Sequence, residues 1–568
     1  MNRWPILSSV NFVADDPGAI SQLRKLVVLL AISGRLPLPS GASTDASAIA
    51  TRIDQAKQAL VRTGVLKKHE PMTFISADDL PDALPASVNF VRLGSVASVE
   101  KGLTGIKHAA PGPFPLVVTA EGRSTCDHFD FDGAAAIVPL VSSAGHGKAS
   151  LQRLHYQEGK FALGSILAAV FPYLPELVSA RFLFEYLTAF KDELLVSQMI
   201  GTANVSLSIG KVSDVPVPLL APAVQQRVDE LMALCDQLEA ARAEREAARD
   251  RLVAASLARL NAPDPETFDE DARFALDALP ALTARPDQIK QLRQTIRNLA
   301  VRGRLVPQDA EEGTGGELFA ALKKARSVWE SAGRIRREKG VSTAIPNDEK
   351  YHTLPESWAW ARLVEIGQTQ TGTSPSSGNA DLFGDFMPFV KPADLDGKEV
   401  NCDGPGLSEL GVSHSRLVSP RSVLVVCIGA TLGKVNKTTR PVCFNQQINS
   451  LTPFLEGLSD YLALAMKASA FQALAWSRAG TGTLPIISKG KWEVLPVPLP
   501  PLPEQHRIVT KVAELMALCD RLEASLASAV DHRSRLHAVL LREALHPAAV
   551  AEDAAWRGCM RTPVLVTT

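Results

Sequence analysis

The sequence predicts a chain of the α/β (α+β) class, organised as a tandem repeat in which two α/β globules alternate with two long helices. Three observations lead to that expectation. The heptapeptide Glu-Leu-Met-Ala-Leu-Cys-Asp occurs twice without a change, at 230–236 and 514–520. Each copy follows a proline run, Pro216-Val-Pro-Leu-Leu-Ala-Pro222 or Pro496-Val-Pro-Leu-Pro-Pro-Leu-Pro503. Upstream, Ile20-Ser-Gln-Leu-Arg24, Leu30-Ala31 and Gly34-Arg-Leu36 return in the same order and spacing as Ile289-Lys-Gln-Leu-Arg293, Leu299-Ala300 and Gly303-Arg-Leu305. Leu84-Pro-Ala-Ser87 with Arg92 likewise returns as Leu354-Pro-Glu-Ser357 with Arg362, and ordered markers of this kind identify an internal duplication.

Each repeat opens with a short helix, 18–33 or 287–302, stopped at Gly34 or Gly303, since glycine adopts the left-handed C-terminal cap without strain. A second helical stretch follows at 45–65 or 317–333. The apolar runs 134–140 and 423–428 are expected as buried strands of the two globules. The proline runs lack donors and fix φ, which excludes helix and central strand and leaves extended struts. Beyond the struts, apolar residues fall at alternating steps of four and three: Val224, Val228, Leu231, Cys235 and Leu238, then Ile508, Val512, Leu515, Cys519, Leu522 and Leu526. That is heptad spacing, and about forty residues of it make a rod of roughly 60 Å. One amphipathic helix is ordinarily buried in the core of its own domain. A matched pair instead suggests two rods packed on each other, with Val228, Leu231, Cys235, Leu238, Val512, Leu515, Cys519 and Leu522 as the seam.

The expected divisions are a helical region over 1–83, a globule over 84–215, a strut and long helix over 216–262, a linker over 263–285, a helical region over 286–350, a globule over 351–495, a strut and long helix over 496–546, and a tail over 547–568. The 568 residues are 46% hydrophobic and 21% charged, enough for a core in each globule. A formal charge of −1 argues against indiscriminate polyanion binding but leaves room for local basic patches. The seven cysteines are scattered, without a Cys-x-x-Cys pair, so neither a disulfide framework nor a zinc site is indicated. No signal-like or membrane-spanning apolar segment stands out, and a cytoplasmic protein is expected.

These repeats, with Pro498-Leu-Pro-Pro-Leu-Pro-Glu-Gln505-His-Arg-Ile508, Gly429-Ala-Thr-Leu-Gly-Lys434 and Asn445-Gln-Gln-Ile448, resemble the specificity subunit of type I restriction-modification enzymes over 20–545. The first strut departs from the family pattern at Ala221, Ala223 and Val224. The resemblance implies two target-recognition domains in tandem, separated by two long antiparallel coiled-coil helices with pseudo-twofold symmetry. It further implies a non-catalytic chain that reads a bipartite site in double-stranded DNA. Partners would be two DNA-adenine methyltransferase subunits and two restriction-translocase subunits, and those partners, not this chain, would hold S-adenosylmethionine, ATP and Mg. No membrane partner is implied.

Candidate DNA contacts follow from side-chain chemistry, because Lys suits phosphates and Asn and Gln suit adenine edges. In the first globule they are His146, Lys148 and Lys160, with Lys211 before the strut; in the second, Lys391, Lys434, Lys437, Asn445, Gln446 and Gln447, with Lys491 before the strut. For any one of them taken singly, a solvated loop residue is the commoner case. The motifs of amino-methyltransferases, nucleotide-binding loops and metalloproteases are missing, and Asp396-Gly-Lys398 without an upstream Pro-Asp is read as a turn. Two alternatives stay open: the specificity part of a type II restriction-methylation system with a fused or separate catalytic chain, and a coiled-coil interaction scaffold.

Overall fold

The proline runs decide how each repeat closes. In a computed structural model, which describes residues 18–36, 46–64, 72–76, 80, 81, 84, 88–106, 109–144, 148–201, 205–262, 264, 266–336, 345–396, 399–480 and 484–545, both runs are extended and each is paired. Pro216–Pro218 lies antiparallel to Phe90–Arg92, and Pro496–Leu499 lies antiparallel to Ala359–Arg362. Leu93 N donates to Val215 O, and Leu219 N donates to Asn89 O, so 215 and 219 face the ladder while the alternating prolines turn their donor-less nitrogens away from it. Leu363 N on Leu495 O sets the same parity in the second repeat.

The chain divides into two compact units, Met1–Glu246 with Val530–Thr568, and Ala247–Ala529. In the first unit β1 (Ala97–Lys101), β2 (Phe114–Val117), β3 (Ser124–Cys126), β4 (Phe131–Asp132), β5 (Ala135–Pro139), β6 (His155–Gln157), β7 (Lys160–Leu163) and β8 (Leu167–Pro172) make two sheets. One is an antiparallel sheet ordered β1-β8-β5-β6; the smaller is β3-β2-β7-β4 with β2 and β7 parallel. In the second unit β9 (Gly367–Thr371), β10 (Phe389–Val390), β11 (Arg416–Val418), β12 (Val423–Val426), β13 (Val435–Lys437), β14 (Val442–Phe444) and β15 (Ile448–Pro453) repeat the plan. The order β9-β15-β12-β13 is again antiparallel, and the smaller sheet β10-β14-β11 again has one parallel pair.

The apolar runs expected as buried strands are buried because both faces are covered. Ala136, Val138 and Leu140 face the helical side of the first core, while Ala135 and Ile137 pack with Phe161 and Leu163 of the smaller sheet. Val423 and Val425 alternate with Leu424 and Val426 in the same way. A strand wedged between two layers reads as a continuous apolar run.

The opening helices, Ala19–Ile32 and Pro286–Val301, end as their glycines predict. Gly34 and Gly303 sit at φ +65° and +68°, Arg35 N donates to Leu30 O, and Arg304 N donates to Leu299 O, the doubled closure of a Schellman cap. Arg24 on the first of these helices bridges to Asp236 at 2.5 Å and Glu239 at 3.1 Å; Arg293 on the second bridges to Asp520 at 2.7 Å and Glu523 at 3.1 Å. The repeated Gln-Leu-Arg block and the repeated heptapeptide are therefore two halves of one contact, made twice. Gln225 and Gln505 anchor the starts of the long helices, Pro222–Asn261 and Leu502–Leu545, by donating to Leu220 O and Pro500 O.

Two expectations change. Six of the expected seam residues pack inside their own unit: Val228, with Leu231 and Met232, joins the core of the first unit, and Val512 and Cys519, with Leu515 and Leu522, pack with Ile289, Ile296 and Tyr461 of the second. The presumed linker is folded as well, into helices Phe268–Asp277 and Leu279–Leu282, because Phe268, Ala275 and Leu282 find cover on Val253, Leu257 and Leu260. No described helix is long and apolar enough to cross a membrane.

Candidate nucleic-acid interface

In each unit three strands of the larger sheet finish at one edge, and a fourth loop is tied beside them. In the first unit Gly102 N donates to Leu167 O, Leu140 N to Ile166 O and Ser142 N to Val205 O, each at 2.9 Å. In the second, Gly372 N donates to Ile448 O at 3.0 Å, Cys427 N to Gln447 O at 2.8 Å and Gly429 N to Pro485 O at 2.9 Å. Ile200 and Gly480 close the fourth loop by bridges to Ser206 and Ile486. The two rims are the same backbone device with different side chains.

Glycine makes the device possible. A Cβ on Gly102 would stand 2.2 Å from Gly164 O, and one on Gly372 would stand 2.1 Å from Asn445 O, so only glycine lets the strand leave the sheet across the turn beside it.

On the second rim Asn445, Gln446 and Gln447 form that turn. Asn445 is buried, donates through Nδ2 to Gln447 Oε1 and accepts from Gln447 N, so it braces the turn and does not present an edge outward. Gln446 is exposed and accepts from Ser374 Oγ at 2.5 Å. Lys391, exposed, follows Val390, whose carbonyl accepts from Asn445 N. Lys434 is at the same edge and is paired with Asp396 at 2.6 Å. On the first rim Lys148 is exposed, and its carbonyl accepts from Ser142 Oγ. His146 lies outside the described residues.

Other candidates are not brought to the rims. Lys437 sits at the far end of β13 and is ion-paired with Asp460. Lys160 begins β7 at the end away from Gly164, with its ammonium over the Phe129 ring at 4.8 Å. Lys211 and Lys491 stand on the single-turn helices Ile209–Ser213 and Lys489–Trp492, which lead from the rims back to the struts and are capped alike by Ser208 and Ser488. The seam candidates Cys235 and Cys519 are buried free thiols whose pKa is pushed up, first of all by burial.

Sequence reasoning missed the first unit's counterpart of the amide turn, Gly164-Ser165-Ile166, because it shares no residue with 445–447. It also missed the fourth loop, although Gly201-Thr202 and Gly480-Thr481 precede Ser208 and Ser488 in both repeats. Among the described residues Cys126, Asp127 and His128 are the grouping with metal-ligand chemistry. Their polar atoms are already engaged, His128 with Asp127 at 2.7 Å and with Thr104 at 3.1 Å.

Comparison with known proteins finds similarity to one family. The family model of the type I restriction modification DNA specificity domain matches residues 355–531. Over 94% of both chains the protein is 24% identical to the type I restriction enzyme EcoAI specificity subunit and 25% identical to the EcoEI specificity subunit, both of Escherichia coli. Among solved structures, the HsdS subunit of Thermoanaerobacter tengcongensis is 18% identical, with a TM-score of 0.38 over 81% of this chain and 97% of that one. The chain is thus similar to the type I restriction modification DNA specificity domain over 355–531 and to type I specificity subunits along nearly its whole length.

Proposed function

We propose that each unit reads one half of a bipartite site in double-stranded DNA through its rim, and that the chain itself performs no chemistry. The observation that supports this most is that one backbone frame recurs in both units with unlike residues on the turn, Gly164-Ser165-Ile166 on one rim and Asn445-Gln446-Gln447 on the other, where Gln446 is the exposed amide. Amide and lysine side chains on such a rim match base edges and phosphates.

Two methyltransferase subunits and two restriction-translocase subunits are the proposed partners, bringing S-adenosylmethionine, ATP and Mg. Leu234 and Leu518, equivalent members of the repeated heptapeptide, are both large, apolar and about half exposed. An exposed leucine kept in both copies suits a surface used twice by the same partner. Methylome sequencing of a host with and without this chain tests the reading: a two-part methylated motif should vanish on deletion, and an unchanged methylome would refute it.

A further inference from the structure

The second unit also holds a cavity that none of the rim residues named above lines, and the proposed DNA-reading role does not use it. It is a cleft of about 520 Å³ where Leu257 and Asn261 at the end of the first long helix meet the helix Pro286–Val301 and the start of the helix Ser469–Arg478. A second cleft of about 370 Å³ adjoins it, sharing Arg302 and His352 and adding Arg304, Thr353 and Gln308. Neither is lined by a carboxylate.

The two chambers differ in chemistry. The larger has apolar walls at Leu257, Val301, Ala470 and Ala473 and a locked row of amides: Asn298 Nδ2 donates to Asn261 Oδ1 at 2.5 Å, while Asn298 Oδ1 accepts from Gln294 Nε2 at 3.2 Å and from Ser469 N at 3.0 Å. The smaller is cationic. Arg302, half-buried, makes no described hydrogen bond or ion pair, and burial lowers its pKa. Between them His352 donates from Nε2 to Val301 O at 3.0 Å, which leaves Nδ1 as a buried acceptor without a partner. Burial first and Arg302 second hold that imidazole at about 4, so it is neutral near pH 7.

The repeat supplies an independent observation. At the equivalent positions of the first opening helix, Arg302, Asn298 and Gln294 are replaced by Ser33, Leu29 and Lys25, and Lys25 is paired with Glu193. In the second unit Asn298 and Gln294 bind helix ends, Asn298 Oδ1 accepting from Ser469 N and Gln294 Nε2 donating to Lys467 O, whereas Arg302 makes no such described contact and so points to a ligand.

We propose that this double cleft binds a nucleoside phosphate. The base would lie between the apolar walls and the amide row with Gln291, a ribose hydroxyl would donate to His352 Nδ1, and the phosphate would be held by Arg302 and Arg304, whose planar donors match phosphate oxygens. The volume falls within the range of small-molecule sites, and the mix of apolar walls with a few convergent polar groups is what such sites show.

Calorimetric titration of the full-length chain with AMP, adenosine and inorganic phosphate tests this. AMP should bind at least about tenfold more tightly than either fragment, a difference of about 1.4 kcal/mol. Arg302→Gln should abolish that advantage and Arg302→Lys should keep part of it, while Gln291→Ala, at an exposed position, should reduce discrimination between AMP and CMP. A short duplex of unrelated sequence should not displace AMP. Equal binding of phosphate and AMP, AMP binding unaffected by Arg302→Gln, displacement by the duplex, or no saturable binding of AMP would each overturn the proposal.

Discussion

In the first unit the turn into the second strand of the large sheet is Gly164-Ser165-Ile166; in the second unit the same turn, held by the same backbone hydrogen bonds, is Asn445-Gln446-Gln447. The difference teaches where the duplicated molecule is constrained. Backbone donors, two strand-exit glycines, capping serines and one arginine bridge per unit are kept, because each closes a contact that no other residue at that position would close. Side chains that only face outward have drifted. A frame that conserves its hydrogen bonds and releases its surface is suited to holding two different recognition surfaces.

The largest expected effect strikes both units alike. Valine at Gly102 or Gly372 would force a side chain into the carbonyl of Gly164 or Asn445, at a cost of about 2–4 kcal/mol in either unit. Chemical denaturation of the two variants measures this, and tolerance at one site would show that the units do not share the frame. The arginine bridges should separate the units. Glu185, almost fully buried, lies 4.0 Å from Arg24 and 2.8 Å from Arg181, whereas the described ion pairs of Arg293 are with Asp520 and Glu523, neither of them buried. Arg24→Ala therefore removes a neighbour of a buried carboxylate and should cost about 2–3 kcal/mol. Arg293→Ala loses half-exposed pairs and should cost about 1 kcal/mol. Equal losses would contradict that distinction.

A smaller effect concerns pH. His352 in the second unit and His155 in the first are both held at about 4 against a usual 6.5, burial being the first cause in each. An imidazole with a depressed folded-state pKa takes up its proton more readily when unfolded, so its contribution to stability is complete above about 6.5 and is lost as pH falls toward about 4. Melting temperatures should decline over that window, and His352→Gln should flatten the part of the decline that belongs to the second unit. A variant profile superimposable on the wild type would remove His352 from the account.

Much of the frame was legible because repetition exposed it. The Gln-Leu-Arg block, the heptapeptide and the glycine caps are each held by a specific contact, so their spacing survived. The heptad stripe was legible as a stripe but not in its partner, since periodicity reports that a face is covered and not by what. The helices at 268–282 were hidden by Pro263, Pro265 and Pro280, punctuation that reads as a linker while Phe268, Ala275 and Leu282 supply the core. At the rims the sequence showed which residues could touch DNA but not where β7 and β13 would carry them, and it showed nothing of the shared topology, which rests on backbone bonds that leave no side-chain signature.

The central claim is that each unit carries its own half of the specificity on a common frame. Exchange of residues 363–495 for the corresponding segment of a type I specificity subunit, followed by methylome sequencing with the partner subunits present, tests it most directly. One half of the methylated motif should change to that of the donor, while the other half and the gap between them stay as they were. A change in both halves, or in the gap alone, would contradict the account.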